Sequence, residues 1–512
     1  MSGNIYEGIV SIDLGTTNCV TSVIDDKGEL VVIKNHIGEI MTPSYIYYGN
    51  DGEVLVGKPA KEKLKDAPDN VFHSYKPYIS TLKNLGEVNG EVITPEKCSA
   101  EMLKYLKECA EVQTGVVMSK AVITVPAYFS ENQKYATKMA AEIAGLEVIM
   151  LPTEPTAGAY FYSNNVTDSL PMNVVVYDLG GGTFDACIQT IRSLRDVEVQ
   201  SNEGNRHLGG DDVNKALAKY INRSFSKLTN DKKVLLINAC NDAKIYLSNE
   251  YAKGNKEAVY EFDLPFMKNK KVTTNDLLTV LEPIITKTMT VMEKLFDKSI
   301  IKVKDIDEVL LIGGSTRLPM IRERLVEFLD DERFNLEYFD KYLTEPDLAV
   351  GYGANNLIRE VIKFGEDVVT NTLPIAIKVV VEDNDYKEIF KSNIMLPSRK
   401  AVTVYNNAVG QDSIKIIIVE DDNDVYSEEA TELGSVTVKL PETTTAVGEY
   451  EITLKLALNS QGILNAQARI MNNMKKTQPL NVKIPIERTA TRWFEVDSNK
   501  VKSHLKTSFG GE

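Results

Sequence analysis

Two strand-length apolar runs, far apart in the chain, end in the same way. Ile9–Ile12 leads into Asp13-Leu14-Gly15-Thr16-Thr17, and Val174–Tyr177 leads into Asp178-Leu179-Gly180-Gly181-Gly182-Thr183-Phe184-Asp185. Each places a carboxylate at a strand end and then glycine and threonine in a tight turn. Glycine lets backbone approach a phosphate closely, and successive N–H groups in such a turn form an anion-binding nest. The carboxylate would repel the phosphate but can hold a hydrated magnesium ion beside it. A third turn, Gly313-Gly314-Ser315-Thr316-Arg317, follows Val309–Ile312 and opens a helix at Leu318-Pro319. A glycine pair at a helix entrance suits the sugar and α-phosphate of a nucleotide. One such turn alone could merely join two strands. Three in one chain, two of them alike, point to a nucleotide site, and the lack of a Walker-A pattern excludes a P-loop.

Around these turns, strand-length runs alternate with helical periodicity up to about residue 365. Ile9–Leu14, Val20–Ile24, Ala121–Val125, Val174–Tyr177 and Val309–Ile312 read as strands. Ser99–Gln113, Ser130–Ala144, Asp211–Phe225, Asp276–Phe296 and Leu318–Leu329 read as helices. That alternation predicts an α/β architecture. After about Leu373 the pattern becomes period two, in 413–420, 435–440, 450–458 and 480–486. Turn signals at Asn406-Asn407, Val409-Gly410 and Asn459–Gly462 separate these runs and predict an all-β sandwich. The expected boundaries are a nucleotide-binding α/β domain over 1–366, a linker over 367–373, a β domain over 374–490 and a tail over 491–512, where Trp493–Lys506 could form one short helix.

Composition removes several function classes. With 58 Lys+Arg against 73 Asp+Glu the net charge is −15, without the basic face of a nucleic-acid binder. No apolar run reaches about 18 residues, so no membrane span is expected. The N-terminus lacks the basic and apolar regions of a signal peptide. The five cysteines form no CxxC pair, and the four histidines are dispersed. Reduced thiols in a cytoplasmic setting are expected, rather than disulfides or zinc.

The turns sit among further motifs: Val125-Pro126-Ala127-Tyr128-Phe129, Leu151–Ala157 (LPTEPTA), His207-Leu208-Gly209-Gly210-Asp211-Asp212 and Glu345–Ala354. Together these resemble the actin/hexokinase-type ATPases and, among them, the 70-kDa heat-shock chaperones of DnaK type. The resemblance runs strongly through about residue 365 and more weakly across the β domain, where Asn459–Asn465 (NSQGILN) is similar to a family turn. It implies a two-lobed, actin-like α/β ATPase domain followed by an all-β sandwich, with ATP or ADP and magnesium at the base of a cleft. Potassium is a further cofactor that it leaves room for.

By this resemblance Asp13 and Asp178 hold magnesium through water. Gly15, Thr16, Thr17, Asn18, Gly180, Gly181 and Gly182 surround the phosphates. Lys76 faces the γ-phosphate, although Pro77 stands where the family has Arg. Glu154, Thr183 and Asp185 position or deprotonate the attacking water. Such a set puts a cation on the developing charge and acceptors on the water. Gly209, Gly210, Lys244, Ser248, Gly313, Gly314, Ser315, Arg317 and Asp347 complete the nucleotide site. The adenosine clamp departs from the family, with Asn241 and Ile245 replacing Glu and Arg. Losing a cation–π-like stack worth about 0.5–2 kcal/mol predicts ATP binding weakened roughly 10-fold.

The resemblance further implies that the sandwich holds extended apolar peptide segments, with Val379, Val404, Ile414 and Ile416 lining a groove. Val404 replaces Phe, which widens the pocket. The acidic run Glu420–Asp424, with Glu428, Glu429 and Glu432, reads as a solvated loop that could favour clients with basic flanks. Unfolded or extended polypeptides are the expected partners. A J-domain co-chaperone and a nucleotide-exchange factor are implied too, but Met150 replaces the J-domain-contacting Arg and Asn371 an Asp after the linker. The linker run Asp367-Val368-Val369-Thr370 is less apolar than the family's, which predicts weaker coupling between ATP and peptide. The family's helical lid is missing from this sequence, so fast peptide release is expected. An ATP-hydrolysing chaperone is the function these features favour. The alternative is a specialised scaffold or regulator switched by ATP. A metabolite kinase is disfavoured by the β domain and by Pro152–Thr156.

Overall fold

The computed structural model of the chain describes residues 8–488 apart from 26, 82, 164–169, 194–195, 341–345, 365–368, 371, 382–384, 393, 422–429, 475–479 and 484–485. Two compact units emerge. The first comprises 1–78, 83–128 and 140–369; the second combines 79–82 and 129–139 with the chain from 370 onward.

The first unit is built on two sheets of one design. One runs Glu147–Met150, Lys120–Thr124, Ile9–Asp13, Asn18–Ile24, Leu30–Ile33; the other includes Glu308–Ile312, Met172–Leu179, Phe184–Ser193, Asp196–Asn205 in that order. In each, the strand that ends in the motif aspartate lies inside the sheet. It has a parallel neighbour on one side and an antiparallel hairpin partner on the other. All five residues of Ile9–Asp13 are buried, as are all of Met172–Leu179 except Asn173. Such continuous apolar strands fit a sheet covered on both faces.

The helices start and stop where local chemistry allows. Pro95–Thr114 opens with Thr94 accepting a bond from the Lys97 N–H (3.3 Å) and with Pro at its first turn. It ends at Gly115, whose φ of 71° is the left-handed cap that glycine adopts at least cost. Thr274–Lys298 carries a capping box made by Thr273 and Asp276. The core between the second sheet and its helices gathers Tyr177, Phe184, Leu217, Leu281, Met292 and Leu311. Among the described residues no helix is long and apolar enough to cross a membrane.

The second unit contains a two-sheet sandwich. One sheet runs Asp385–Phe390, Ile377–Val381, Ser413–Glu420, Thr431–Lys439, Glu487–Arg488; the other runs Ser398–Tyr405, Tyr450–Leu458, Leu464–Asn472, Leu480–Lys483. Along Tyr450–Leu458 every second residue is buried, as period two requires. Their inward side chains meet those of Ile377, Phe390, Ile416 and Val436. The tail 491–512, with the expected helix Trp493–Lys506, lies outside the described residues. So do Asp367, Val368 and Asn371, Glu345, and residues 422–429 of the acidic run. Val369–Thr370 forms a two-residue strand.

Candidate nucleotide site

Strand register assembles the acidic centre of the first unit. Ile9–Asp13 pairs with Lys120–Thr124 so that Asp13 stands opposite Thr124, whose Oγ1 donates to Asp13 Oδ1 at 2.8 Å. In the second sheet Asp178 stands opposite Asp185 on one side and Ile312, the residue before the Gly313 turn, on the other. Asp185 Oδ1 accepts the Tyr128 N–H at 2.9 Å. Lys76 Nζ lies 2.5 Å from Glu154 Oε1, and both side chains are nearly removed from solvent.

These groups perturb one another. Burial, then the Glu154 charge, pushes the Asp13 carboxyl up to about 7 against the pull of Lys76 and Thr124. Burial and Glu154 also lift Asp185 to about 7, opposed by the Tyr128 N–H, Lys76 and Arg206. Asp178 is driven well above the usual carboxylate range by burial, Glu154, Asp185 and Asp13. Burial alone would lower the Lys76 ammonium, but Glu154 and Asp13 outweigh it and the net displacement is upward. The centre therefore has more carboxylates than its lysine can neutralise. A divalent cation would supply the missing positive charge, and this acidic donor set fits magnesium. Among the described residues no group of three or more His, Cys, Asp and Glu could hold a metal ion directly. Asp13 and Asp178 fit binding through the water that magnesium retains.

The phosphate turns meet at this centre. A Cβ on Gly181 would stand 1.7 Å from Thr17 Oγ1, so only glycine lets the two turns approach this closely. The helix Gly210–Ile221 closes on the same loop, its first N–H groups reaching Gly180 O (3.0 Å) and Gly181 O (2.7 Å). Ser315 Oγ donates to Gly180 O at 2.8 Å. Gly313 turns the chain with a φ of +81° and packs against Leu179 O. The resulting cleft is lined by Asp13, Gly15, Thr16, Thr17, Asn18, Glu154, Asp178, Gly180, Gly181, Thr183, Gly313, Gly314 and Asp347.

The remaining expected residues join through contacts. Gly182 packs on Thr16, and Gly209 on the Gly181 backbone. Lys244 Nζ lies 3.4 Å from Gly210 O, and burial brings its ammonium down to about 8, with Asp211 pulling it back up. Ser248 is buried and its hydroxyl donates to Lys244 O at 2.7 Å. Arg317 pairs with Asp347 at 2.8 Å. In the clamp Asn241 Oδ1 lies 3.4 Å from Asn214 Nδ2, and Ile245 is 50 % exposed. In the sandwich Val379, Val404, Ile414 and Ile416 are all buried within the core rather than open to solvent.

Sequence reasoning missed Thr124, Met41, which also lines the cleft, and Arg206, which bonds the Tyr128 carbonyl at 3.0 Å. It also missed Ser74, whose hydroxyl donates to Asp211 Oδ2 at 2.6 Å. Arg206 immediately precedes the His207–Asp212 motif, and Thr124 ends the strand beside Asp13; adjacency to known motifs was the one signal available.

Paired sheets that each deliver an Asp-Gly-Thr turn to one acidic cleft, followed by a β sandwich, define an actin-like ATPase fold joined to an all-β sandwich. The profile of the Hsp70 protein family matches residues 9–493, and the chain belongs to that family. It is 32 % identical to chaperone protein DnaK of Thermotoga neapolitana over 488 residues, covering 92 % of this chain and 79 % of the relative. The chaperone protein DnaK of Thermotoga petrophila and that of Thermotoga maritima match with the same identity and coverage.

Proposed function

We propose that this chain is an ATP-dependent chaperone that hydrolyses ATP in the cleft of its first unit and binds extended apolar peptide segments on its second. The observation that carries the reading is the convergence of Thr17 and Gly181, from two separate turns, beside four buried carboxylates and Lys76. In this reading the turn N–H groups and Lys76 stabilise charge on the terminal phosphates. Asp13 and Asp178 hold magnesium through water, and the ion, when bound, offsets phosphate charge. Glu154, Thr183 and Asp185 orient the attacking water and accept its proton. Potassium would serve as an additional counterion.

Extended polypeptides are the proposed clients and the cytoplasm the proposed setting. Val379, Val404, Ile414 and Ile416 would back an apolar peptide site from within the sandwich. Met150 is buried among Ile9, Val122 and Ala157 and offers no charge. A J-domain partner is therefore expected to stimulate weakly, and an exchange factor remains part of the proposed cycle.

Steady-state ATPase with and without an unfolded peptide tests the proposal. Peptide should raise turnover, and Thr183→Ala should abolish it while ATP still binds. Turnover that peptide leaves flat would count against the chaperone reading, and a fully active Thr183→Ala against the assigned chemistry.

A further inference from the structure

Arg206 lies in the turn that links strand Asp196–Asn205 to helix Gly210–Ile221. Its Nε donates to the Tyr128 carbonyl at 3.0 Å, and its guanidinium carbon sits 5.4 Å from the centre of the Tyr128 ring. The Tyr128 N–H donates in turn to Asp185 Oδ1 at 2.9 Å. Tyr128 is thus held through both backbone groups, its amide by the carboxylate and its carbonyl by the guanidinium. Gly204 closes the same corner: a Cβ there would stand 2.8 Å from Tyr128 Cβ and 3.0 Å from Asp185 Oδ1. The Asp185 carboxylate therefore packs in a corner whose other walls are Tyr128 and the strand that leads to Arg206. Nη2 of Arg206 is buried and makes no hydrogen bond. Its hydrogen bond and its ring contact are thus both with Tyr128, while its charge also acts on the Asp185 carboxyl.

A charged donor makes a shorter, stronger bond to a carbonyl than a neutral one does, and a planar guanidinium can engage the ring at the same time. This combination suits a residue that must hold one backbone segment still. We propose that Arg206 is a positioning residue for ATP hydrolysis, fixing Tyr128 and through it the orientation of the Asp185 carboxylate. The inference rests on the reading above in which Asp185 orients the attacking water. Arg206 itself touches neither nucleotide nor water in this role. Its loss should slow the chemical step far more than it weakens nucleotide binding, because its hydrogen bond and ring contact are to Tyr128 and not to the phosphate turns themselves.

The test is single-turnover hydrolysis of prebound magnesium ATP by the full chain, alongside equilibrium titration of ATP and ADP. Arg206→Ala should lower the hydrolysis rate about 10- to 100-fold, the scale of a small misplacement of a reacting group. Both nucleotides should still bind within about 2-fold of wild type, the signature of an interaction made only in the transition state. Unchanged ADP affinity also shows that the variant is folded. Arg206→Lys should be faster than Arg206→Ala, and guanidinium ion below denaturing concentration should speed the Ala variant but not wild type. A merely structural arginine would give neither rescue. The proposal is overturned by a wild-type rate in Arg206→Ala, by ATP affinity falling in step with rate, or by the absence of both rescues. Asp185→Asn separates the two levels. If that variant hydrolyses ATP normally, the water-orienting reading itself fails. If it is inactive while Arg206→Ala is fully active, only the role of Arg206 is lost.

Discussion

Ile245 follows the buried Lys244 on helix Asn230–Ala252, yet half of its own surface meets solvent. The two neighbours point to different faces: Lys244 Nζ lies 3.4 Å from Gly210 O, while position 245 faces solvent, where the proposed clamp would take a base. A branched aliphatic side chain there supplies contact area without charge. An arginine would add a planar cation over the base, worth about 0.5–2 kcal/mol, or about 10-fold in affinity at the middle of that range. Ile245→Arg should therefore tighten ATP binding by about that factor, measured by calorimetry; equal affinities would sink the argument. The same scale shows what a sequence discloses about single residues. Asp13, Asp178 and the glycines were legible because strand, carboxylate and turn adjoin in the chain. Lys76 was legible only by resemblance, since its partner Glu154 lies 78 residues away. Arg206 was legible only as the neighbour of the His207–Asp212 motif, because its meaning depends on a carbonyl another 78 residues distant.

At the scale of elements, the segment around strand Val71–His73 meets the start of helix Gly210–Ile221 through one short bond, from Ser74 Oγ to Asp211 Oδ2 at 2.6 Å. Ser74 holds a φ of +51°, unusual for a residue with a Cβ, and His73 Nδ1 lies 3.1 Å from its hydroxyl. The Asp211 N–H donates to Gly181 O, so one residue ties the phosphate loop to the facing segment. A hydrogen bond to a carboxylate, discounted for its partial exposure, is worth about 1 kcal/mol, or about 5-fold in an equilibrium or a rate. Ser74→Ala should accordingly speed ADP release about 5-fold in a fluorescent-nucleotide displacement experiment. Release at the wild-type rate would show that this link does not restrain the nucleotide. Periodicity found the elements that carry an apolar stripe, such as Thr274–Lys298, within a few residues of their ends. Helix Asn230–Ala252 escaped it because apolar residues surround the helix: beside the buried row Leu236, Cys240, Ala243 and Leu247 it carries Ile237, Ile245 and Tyr246 outside that row, so no single stripe stands out. Helix Glu154–Ser163 escaped for a similar reason: Ala157, Ala159 and Tyr160 are buried without a polar face between them.

Across the whole molecule the change from mixed to period-two patterning was legible because each regime persists for a hundred residues or more of chain. The net charge of −15 carried less meaning than the few acids that folding buries at one place. Those acids make stability depend on pH in an unusual direction. Asp13 and Asp185 rise from 3.8 to about 7 on folding. Between those values the native state binds more protons than the unfolded chain. Stability from these groups is therefore greatest at the acidic end of the window and falls as pH rises towards about 7. A paired surface carboxylate has the reverse slope, losing stability as pH falls. Binding of magnesium and nucleotide should remove the effect, since the cation favours the ionised acids. Denaturant melts of the chain without ligand should thus show an Asp185→Asn variant gaining on wild type as pH increases through the window. Magnesium ADP should stabilise wild type most at its upper end, and a chelator should reverse that gain. If wild type instead gained on the variant as pH rose, Asp185 would have to be ionised and satisfied in the empty site, and the need of this acidic centre for a cation would lose its support.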